Sequence, residues 1–156
     1  MEISDTDKKF MLLAIEQAKI AESEGEVPIG AVVVCNGEVI GRGYNTKNSG
    51  KSALHHAEIK AIEDASSKIG DWRLDECSLY VTLEPCLMCS GAIIHARIRN
   101  VFFGAEEPKF GGVVSLAHTF DIEGLNHRVN YIGGLYVDEI QTMMKVFFRT
   151  IREKKK

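Results

Sequence analysis

Two short segments of this 156-residue chain carry residue types that could do metal chemistry. The first is His56-Ala57-Glu58, and the second is Pro85-Cys86-Leu87-Met88-Cys89. Imidazole and thiolate groups are ligands that zinc prefers, and a catalytic zinc site keeps a fourth position open for water. The sequence therefore predicts a zinc site formed by His56, Cys86 and Cys89, in which zinc lowers the pKa of water to roughly 7.

The spacing separates the predicted metal ligands from a predicted proton carrier. Cys86 and Cys89 are three residues apart on a predicted helix, so both lie on one face of it. The positive end of that helix favours thiolates, which are the ligating form. Glu58 follows His56 by two residues, an offset that keeps it off the ligand's helical face. We therefore expect Glu58 to act as the catalytic acid and base between the activated water and a substrate.

Each motif has a plainer interpretation when it is taken alone. H-x-E can be an ordinary helix start, and C-x-x-C can be redox-active or part of a structural zinc knuckle. A knuckle needs a second ligand pair, which the spacing of the remaining cysteines does not offer. We expect Cys35 and Cys77 to be small buried hydrophobic residues. His55 adjoins the predicted ligand His56 and is expected at the surface or next to the metal ligands, whereas His95 and His118 have no motif support and are expected at the surface or in satisfied positions.

The composition is that of an ordinary globular protein. The length fits one domain spanning residues 1–156, and the chain is 45% hydrophobic and 26% charged. Its first residues are polar and acidic rather than those of an export signal, and no apolar run approaches the length of a membrane span. We therefore expect a cytoplasmic protein whose four cysteines favour metal ligation over disulfides.

Charge is distributed unevenly along the chain. The net charge is −3, yet residues 145–156 hold six basic residues and one acid, so this segment carries +5 and the rest carries −8. A local basic patch can hold phosphates whatever the overall sign of the charge. A solvated, solubilising tail is the alternative interpretation of the same segment.

Hydrophobic periodicity and turn signals predict four helices and five strands. The helices are predicted at residues 5–24, at 56–68, from a first turn containing Pro85, and at 136–153. The strands are predicted at residues 30–35, 38–43, 78–83, 101–103 and 129–132, with Asn36-Gly37 as a hairpin turn. Strands that alternate with helices predict a three-layer α/β/α domain around a five-stranded mixed sheet. Residues 105–128 are poorly periodic and are expected to form a binding loop.

The chain resembles the bacterial tRNA adenosine deaminases of the TadA type, within the cytidine-deaminase-like zinc deaminases. H-x-E followed by P-C-x-x-C is the signature of zinc nucleobase deaminases. The resemblance runs almost end to end, and its further motifs are Glu26-Val27-Pro28-Ile29-Gly30-Ala31, Asn45, Leu79-Tyr80-Val81-Thr82-Leu83-Glu84, Phe103-Gly104-Ala105, Lys109, Gly111, Ser115-Leu116, Asn126-His127-Arg128 and Phe147-Phe148-Arg149.

This resemblance implies the hydrolytic deamination of adenosine to inosine at the wobble position of a tRNA anticodon. It also implies a homodimer with one zinc ion per subunit and a tRNA site that uses both subunits. Asn45 and the backbone at Ala57 would contact the base or ribose. The contacts to the anticodon loop would be Glu107, Lys109, Phe147, Phe148, Arg149 and Arg152. Aromatic faces stack on splayed bases and basic groups hold phosphates, although one of two adjacent helical phenylalanines is expected in the core.

The chain departs from the family pattern in the predicted binding loop. Glu107 stands where the family often has aspartate, Pro108 follows it, and Val113-Val114 replace small residues. A deaminase of free guanine, cytosine or a nucleoside shares every predicted zinc-site residue and is the main alternative. A non-catalytic zinc module is a further alternative, but it leaves Glu58 without a role.

Overall fold

The computed structural model describes residues 1–155, which fold into four α-helices and five strands. The helices are α1 (Asp5–Ser23), α2 (Ala57–Ile69), α3 (Leu87–His95) and α4 (Val137–Lys154). The strands are β1 (Gly30–Cys35), β2 (Glu38–Tyr44), β3 (Cys77–Leu83), β4 (Asn100–Ala105) and β5 (Asn130–Ile132). The predicted α/β class is confirmed.

The five strands form one mixed sheet in the order β2-β1-β3-β4-β5. Strand β1 is antiparallel to both β2 and β3, whereas β3, β4 and β5 are parallel to one another. Four strands therefore run in one direction, and the loops that follow β2, β3 and β4 leave the sheet at the same edge. Ligands of open α/β sheets commonly bind outside the carboxyl ends of the strands. Both motifs singled out in the sequence lie at this edge.

Helices cover both faces of the sheet, because successive strand residues point to opposite sides. On one face Val33 belongs to an apolar cluster that includes Ala61 of α2. On the other face Tyr80 belongs to a second cluster that includes Met11 of α1 and Ile140 of α4. The two clusters confirm the predicted three-layer α/β/α arrangement.

Helix α2 lies unusually close to β2, which fixes where the first motif begins. A Cβ atom added at Gly43 would stand 2.5 Å from both Ala57 O and Ala61 N. Only glycine leaves room for that approach, because real Cβ atoms do not come so near to backbone atoms. The close packing of β2 on α2 places the start of α2 beside the loop that follows β2.

The start of α3 differs from the prediction. Pro85 was expected in the first turn, but the helix begins only after Cys86, which is its N-cap residue in an extended conformation. Pro85 O accepts a hydrogen bond of 2.8 Å from Gly112 N, and Cys86 forms an isolated antiparallel bridge with Gly111. This pairing with a segment about 25 residues later keeps Pro85 and Cys86 out of the helix, so α3 begins at Leu87.

The other predicted bounds agree with the structure to within about two residues. Strand β4 is longer than predicted, because its pairing with β3 continues to Leu83 and Ala105. Tyr136 is the N-cap of α4 in a left-handed conformation rather than its first helical residue. The long loop, residues 106–129, joins β4 to β5 and contains one 3₁₀ turn, Thr119–Asp121. None of the helices within residues 1–155 combines the length and the apolar character that a bilayer-spanning helix requires.

Candidate metal centre and its pocket

His56 and Cys86 occupy equivalent positions, since each is the N-cap residue of its helix. Neither side chain makes a capping hydrogen bond, so both are free for other contacts. Cys89 is fully buried one turn into α3. The Sγ atoms of Cys86 and Cys89 each lie 3.6 Å from His56 Nδ1. The three donor atoms lie within 4.8 Å of one another and could hold a metal ion. We call His56, Cys86 and Cys89 the donor cluster.

The two cysteines of this cluster differ in charge. A hydrogen bond from Cys89, reinforced by His56, lowers the pKa of Cys86 to about 4 against the opposing effect of burial. The same sulfur contact, together with burial, raises the pKa of Cys89. Cys86 is therefore a thiolate at neutral pH, which is the form that binds metal ions.

Glu58 is buried beside the donor atoms but is not one of them. Its side chain is only 4% exposed, and among residues 1–155 the donor group comprises His56, Cys86 and Cys89 alone. Burial raises the pKa of Glu58 to about 7. A carboxyl group with a pKa near neutrality can both accept and release a proton, as a general acid and base must.

A pocket of about 510 Å³ opens onto this cluster. Its size is within the usual range of small-molecule sites, roughly 300–1,000 Å³. The lining residues come from the loops at the carboxyl edge of the sheet, from the starts of α2 and α3, and from α4. They are Val27, Ile29, Asn45, Lys47, Ala53, His56, Ala57, Glu58, Leu83, Glu84, Cys86, Met88, Glu107, Phe110, Met144 and Phe148.

Four of the predicted substrate contacts line this pocket, namely Asn45, Ala57, Glu107 and Phe148. Asn45 is buried, and its Oδ1 accepts a hydrogen bond of 3.1 Å from Lys47 N, which fixes the side chain in the wall. The other four lie outside the lining, namely Lys109, Phe147, Arg149 and Arg152. Three of these are exposed basic residues, as phosphate contacts outside a pocket would be.

Phe147 and Phe148 separate as the sequence predicted. Phe147 is 7% exposed and Phe148 is 42% exposed. Their ring centroids are 5.3 Å apart with an interplanar angle of 76°, a favourable edge-to-face arrangement. The buried ring of Phe147 therefore packs against the ring of Phe148, which lines the pocket.

Two buried carboxylates in the loops around the pocket, Glu26 and Glu84, belong to motifs of the family resemblance but were given no role from the sequence. Glu26 is 1% exposed and accepts hydrogen bonds from Asn48 N at 3.1 Å and Ser49 N at 2.7 Å. Glu84 is 3% exposed and accepts its hydrogen bonds from the long loop after β4. Burial acts to raise the pKa of each, but hydrogen bonds, chiefly from serine residues, outweigh it and lower both pKa values.

A charged residue close to an apolar strand was the available signal for both carboxylates. Glu26 lies four residues before the start of β1, and Glu84 directly follows β3. Phe110 was also missed, although it lines the pocket and is 67% exposed. No periodic pattern marks a single aromatic residue in an irregular loop.

Within residues 1–155, the other cysteines and histidines do not belong to the donor cluster. Cys77 is fully buried, and burial, with a contact to Cys35, raises the pKa of Cys77 to about 12, so its thiol is inert at neutral pH. Cys35 is half-buried rather than buried as predicted. His95 and His118 are exposed, as expected, and His55 is half-buried within the loop that joins β2 to α2.

Comparison with known proteins shows one family over nearly the whole chain. The model of the MafB19-like deaminases matches residues 5–152. The tRNA-specific adenosine deaminase of Bacillus subtilis (strain 168) is 44% identical over 150 residues, which cover 96% of this chain and 93% of that protein. The tRNA-specific adenosine deaminase of Haemophilus influenzae is 41% identical over 154 residues, 98% of this chain and 89% of that protein.

Solved structures give the same result for the fold. One from a study of A-to-I editing by tRNA:A34 deaminases has a TM-score of 0.83 and 41% identity, covering 86% of this chain and 98% of its own. A guanine deaminase from Nitrosomonas europaea has a TM-score of 0.80 at 22% identity, covering 94% of this chain and 86% of its own. The second likeness concerns the fold alone.

Proposed function

The chain belongs to the MafB19-like deaminases and to the tRNA-specific adenosine deaminases, and on that basis we propose that it converts adenosine to inosine at the wobble position of tRNA. One observation carries the proposal. The pocket lined by His56, Glu58 and Cys86 also has Glu107 of the long loop and Phe148 of α4 in its wall. Phe148 presents an aromatic ring that is 42% exposed, on which a base of a single-stranded anticodon loop can stack.

We propose zinc as the resident metal, held by His56, Cys86 and Cys89. Tetrahedral zinc with bonds of about 2.0–2.1 Å to nitrogen and about 2.3 Å to sulfur separates these donors by roughly 3.5 Å. The observed separations of 3.6 Å fit that geometry. When bound, zinc supplies the Lewis acidity that makes water a nucleophile near neutral pH.

Glu58 carries the protons of the proposed reaction. Its carboxylate takes a proton from the attacking water and delivers one to the ring nitrogen next to the carbon that bears the amine. It then takes the remaining proton of the added hydroxyl group and passes it to the exocyclic amino group, which leaves as ammonia. A pKa of about 7 suits both directions of transfer, because neither protonation state is strongly disfavoured at neutral pH.

The substrate contacts divide into two groups by position. Asn45 and the backbone at Ala57, which line the pocket, orient the flipped adenosine. Glu107 and Phe148 stand at the pocket wall, where Phe148 offers an exposed ring to a neighbouring base. Outside the pocket, Lys109, Arg149 and Arg152 hold the phosphates of the anticodon loop.

We further propose that the protein is a single cytoplasmic domain over residues 1–156 and that it works as a homodimer. Leu87 at the start of α3 is 55% exposed, and Leu116 of the long loop is 62% exposed. Their segments are adjacent, since Gly112 lies against the backbone of Leu87 and Leu116 N donates to Gly111 O. A second copy would cover this apolar surface beside the pocket.

The test compares substrates of the zinc-loaded protein by the release of ammonia. A tRNA transcript with adenosine at the wobble position is incubated beside free adenosine, guanine and cytosine at matched concentrations. We expect ammonia from the transcript alone, and none from a control transcript with guanosine at that position. Ammonia from a free base with the transcript unchanged would replace the proposal by a small-molecule deaminase.

A further inference from the structure

Glu84 is a buried carboxylate to which the proposed mechanism gives no role. It directly follows β3 and stands two residues before Cys86. Glu84 is only 3% exposed, and no lysine or arginine within residues 1–155 forms an ion pair with its carboxylate. A buried carboxylate without a cation needs several hydrogen-bond donors to offset its desolvation.

The donors all come from one segment of the long loop. Glu84 Oε1 accepts from Glu107 N at 3.0 Å and from the Ser115 hydroxyl. Glu84 Oε2 accepts from Val113 N at 3.0 Å, Val114 N at 2.8 Å and Ser115 N at 3.0 Å. One side chain therefore ties together both ends of residues 107–115.

The same segment closes tightly over the carboxylate. A Cβ atom added at Gly111 would stand 2.4–2.5 Å from the carboxylate atoms of Glu84. Gly111 also pairs with Cys86, and Gly112 N donates to Pro85 O at 2.8 Å. The loop is thus bound at once to Glu84 and to the segment that carries the first cysteine of the donor cluster.

We propose that Glu84 is a positioning residue that holds residues 107–115 in register with Cys86. This segment carries Glu107 and Phe110, which line the pocket, and Lys109, which lies outside it. Glu84 thereby fixes the distance from the RNA-contacting loop to the reacting centre, and it governs the binding of tRNA more than the chemical step. This inference rests on the proposed function.

The test is the Glu84→Gln variant of the zinc-loaded full chain, assayed on an anticodon stem-loop. Glutamine keeps the shape, but its NH₂ group cannot accept from the converging N–H donors. We expect KM to rise by about tenfold, with kcat changed by less than about twofold, because the lost hydrogen bonds are charge-assisted. Zinc content should stay at the wild-type value.

A second variant decides the matter if Glu84→Gln fails to fold. Ser115→Ala removes one hydroxyl donor and keeps the carboxylate, so we expect KM to rise by about twofold to threefold at unchanged kcat. The control is Asp7→Asn, which weakens the 2.6 Å hydrogen bond from Tyr80 on the opposite face of the sheet. That variant should lose stability while its KM stays at the wild-type value.

Hydrogen exchange separates the failure of this inference from the failure of the proposed function. The amides of residues 113–115 should exchange faster in Glu84→Gln than in the wild type, whether or not the protein deaminates RNA. Faster exchange together with a raised KM supports the positioning role. An unchanged KM in both Glu84→Gln and Ser115→Ala, or a loss confined to kcat through a smaller folded fraction, would overturn it.

Discussion

The surroundings of the pocket shift the pKa values of Glu58 and Cys86 in opposite directions. Burial raises the pKa of Glu58 to about 7, whereas hydrogen bonding lowers the pKa of Cys86 to about 4. At neutral pH the sulfur is therefore ready to bind a metal, and the carboxyl group is ready to exchange a proton. The pocket therefore combines a metal ligand in its binding form with a separate group that carries protons.

Replacement of Glu58 by glutamine should separate proton transfer from metal binding. We expect Glu58→Gln to lower kcat by roughly 10²–10⁴-fold, because general acid/base catalysis contributes that much. The zinc content, measured by elemental analysis, should not change. Glu63→Gln, at an exposed position of the same helix, is the control and should keep full activity. A parallel loss of zinc in Glu58→Gln would mean that Glu58 is a ligand.

Replacement of Cys86 by alanine should remove the metal and the stability linked to it. With free zinc at about 1,000 times the dissociation constant, bound metal adds about 4 kcal/mol to the free energy of unfolding. Denaturant titrations should therefore show that a chelator destabilises the wild type but not Cys86→Ala. Cys77→Ala, which removes a sulfur from the core, should retain the chelator effect. If Cys86→Ala still bound one zinc ion tightly, the assigned ligand set would be incorrect.

At the scale of elements, the site depends on where two helices begin. Helix α2 is held against β2 through Gly43, and α3 starts late because Pro85 and Cys86 pair with the long loop. These two contacts bring the N-cap residues His56 and Cys86 together. The geometry of the donor cluster therefore depends on the packing of α2 against β2 and on the pairing of Pro85 and Cys86 with the long loop, and not on the helices alone.

Gly43→Ala tests this dependence. The added Cβ would meet backbone atoms of α2 at 2.5 Å, so the helix must shift. We expect the free energy of unfolding to fall by about 1–3 kcal/mol, as is usual for overpacking, and zinc affinity to fall with it. The neighbouring variant Arg42→Ala, at an exposed position, should change stability by less than about 0.5 kcal/mol. Unchanged zinc affinity in Gly43→Ala would show that α2 does not need this contact.

Local sequence patterns were sufficient for the helices and the strands, because each depends on residues close together in the chain. The donor cluster was predicted from the residue types of two motifs that lie 30 residues apart. Pro85 shows where such patterns fail, since its position depends on Gly112, which lies far away in the sequence. Glu84 shows the same for function. Its donors, among them Val114 and Ser115, lie about 30 residues later, and only the folded chain brings them to the carboxylate.

At the scale of the whole molecule, the charge distribution matches a substrate that is an extended polyanion. The chain carries −3 overall, while residues 145–156 carry +5. Arg149 and Arg152 project from α4 close to Phe148, whose ring faces the pocket. The proposed site therefore combines an enclosed place for one base with an open basic surface for the phosphates on either side.

The double variant Arg149→Gln/Arg152→Gln should weaken the binding of RNA through its salt dependence. Each phosphate contact to a single strand contributes about 0.7 to the slope of log K against log salt, so two lost contacts should reduce the slope by about 1.4. Binding of a fluorescent anticodon stem-loop at several salt concentrations measures this slope. Lys8→Gln/Lys9→Gln on α1 provides a control of equal charge, and an equal change in that control would indicate a non-specific effect of net charge.

The most direct test of the account locates inosine within a tRNA after treatment with the zinc-loaded protein. A transcript with adenosine at the wobble position and at many other sites is sequenced by an inosine-sensitive method, alongside the Glu58→Gln variant. The account predicts inosine at the wobble position alone with the wild type, and none with the variant. Inosine at unrelated adenosines, or an unmodified transcript from protein that deaminates a free base, would contradict it.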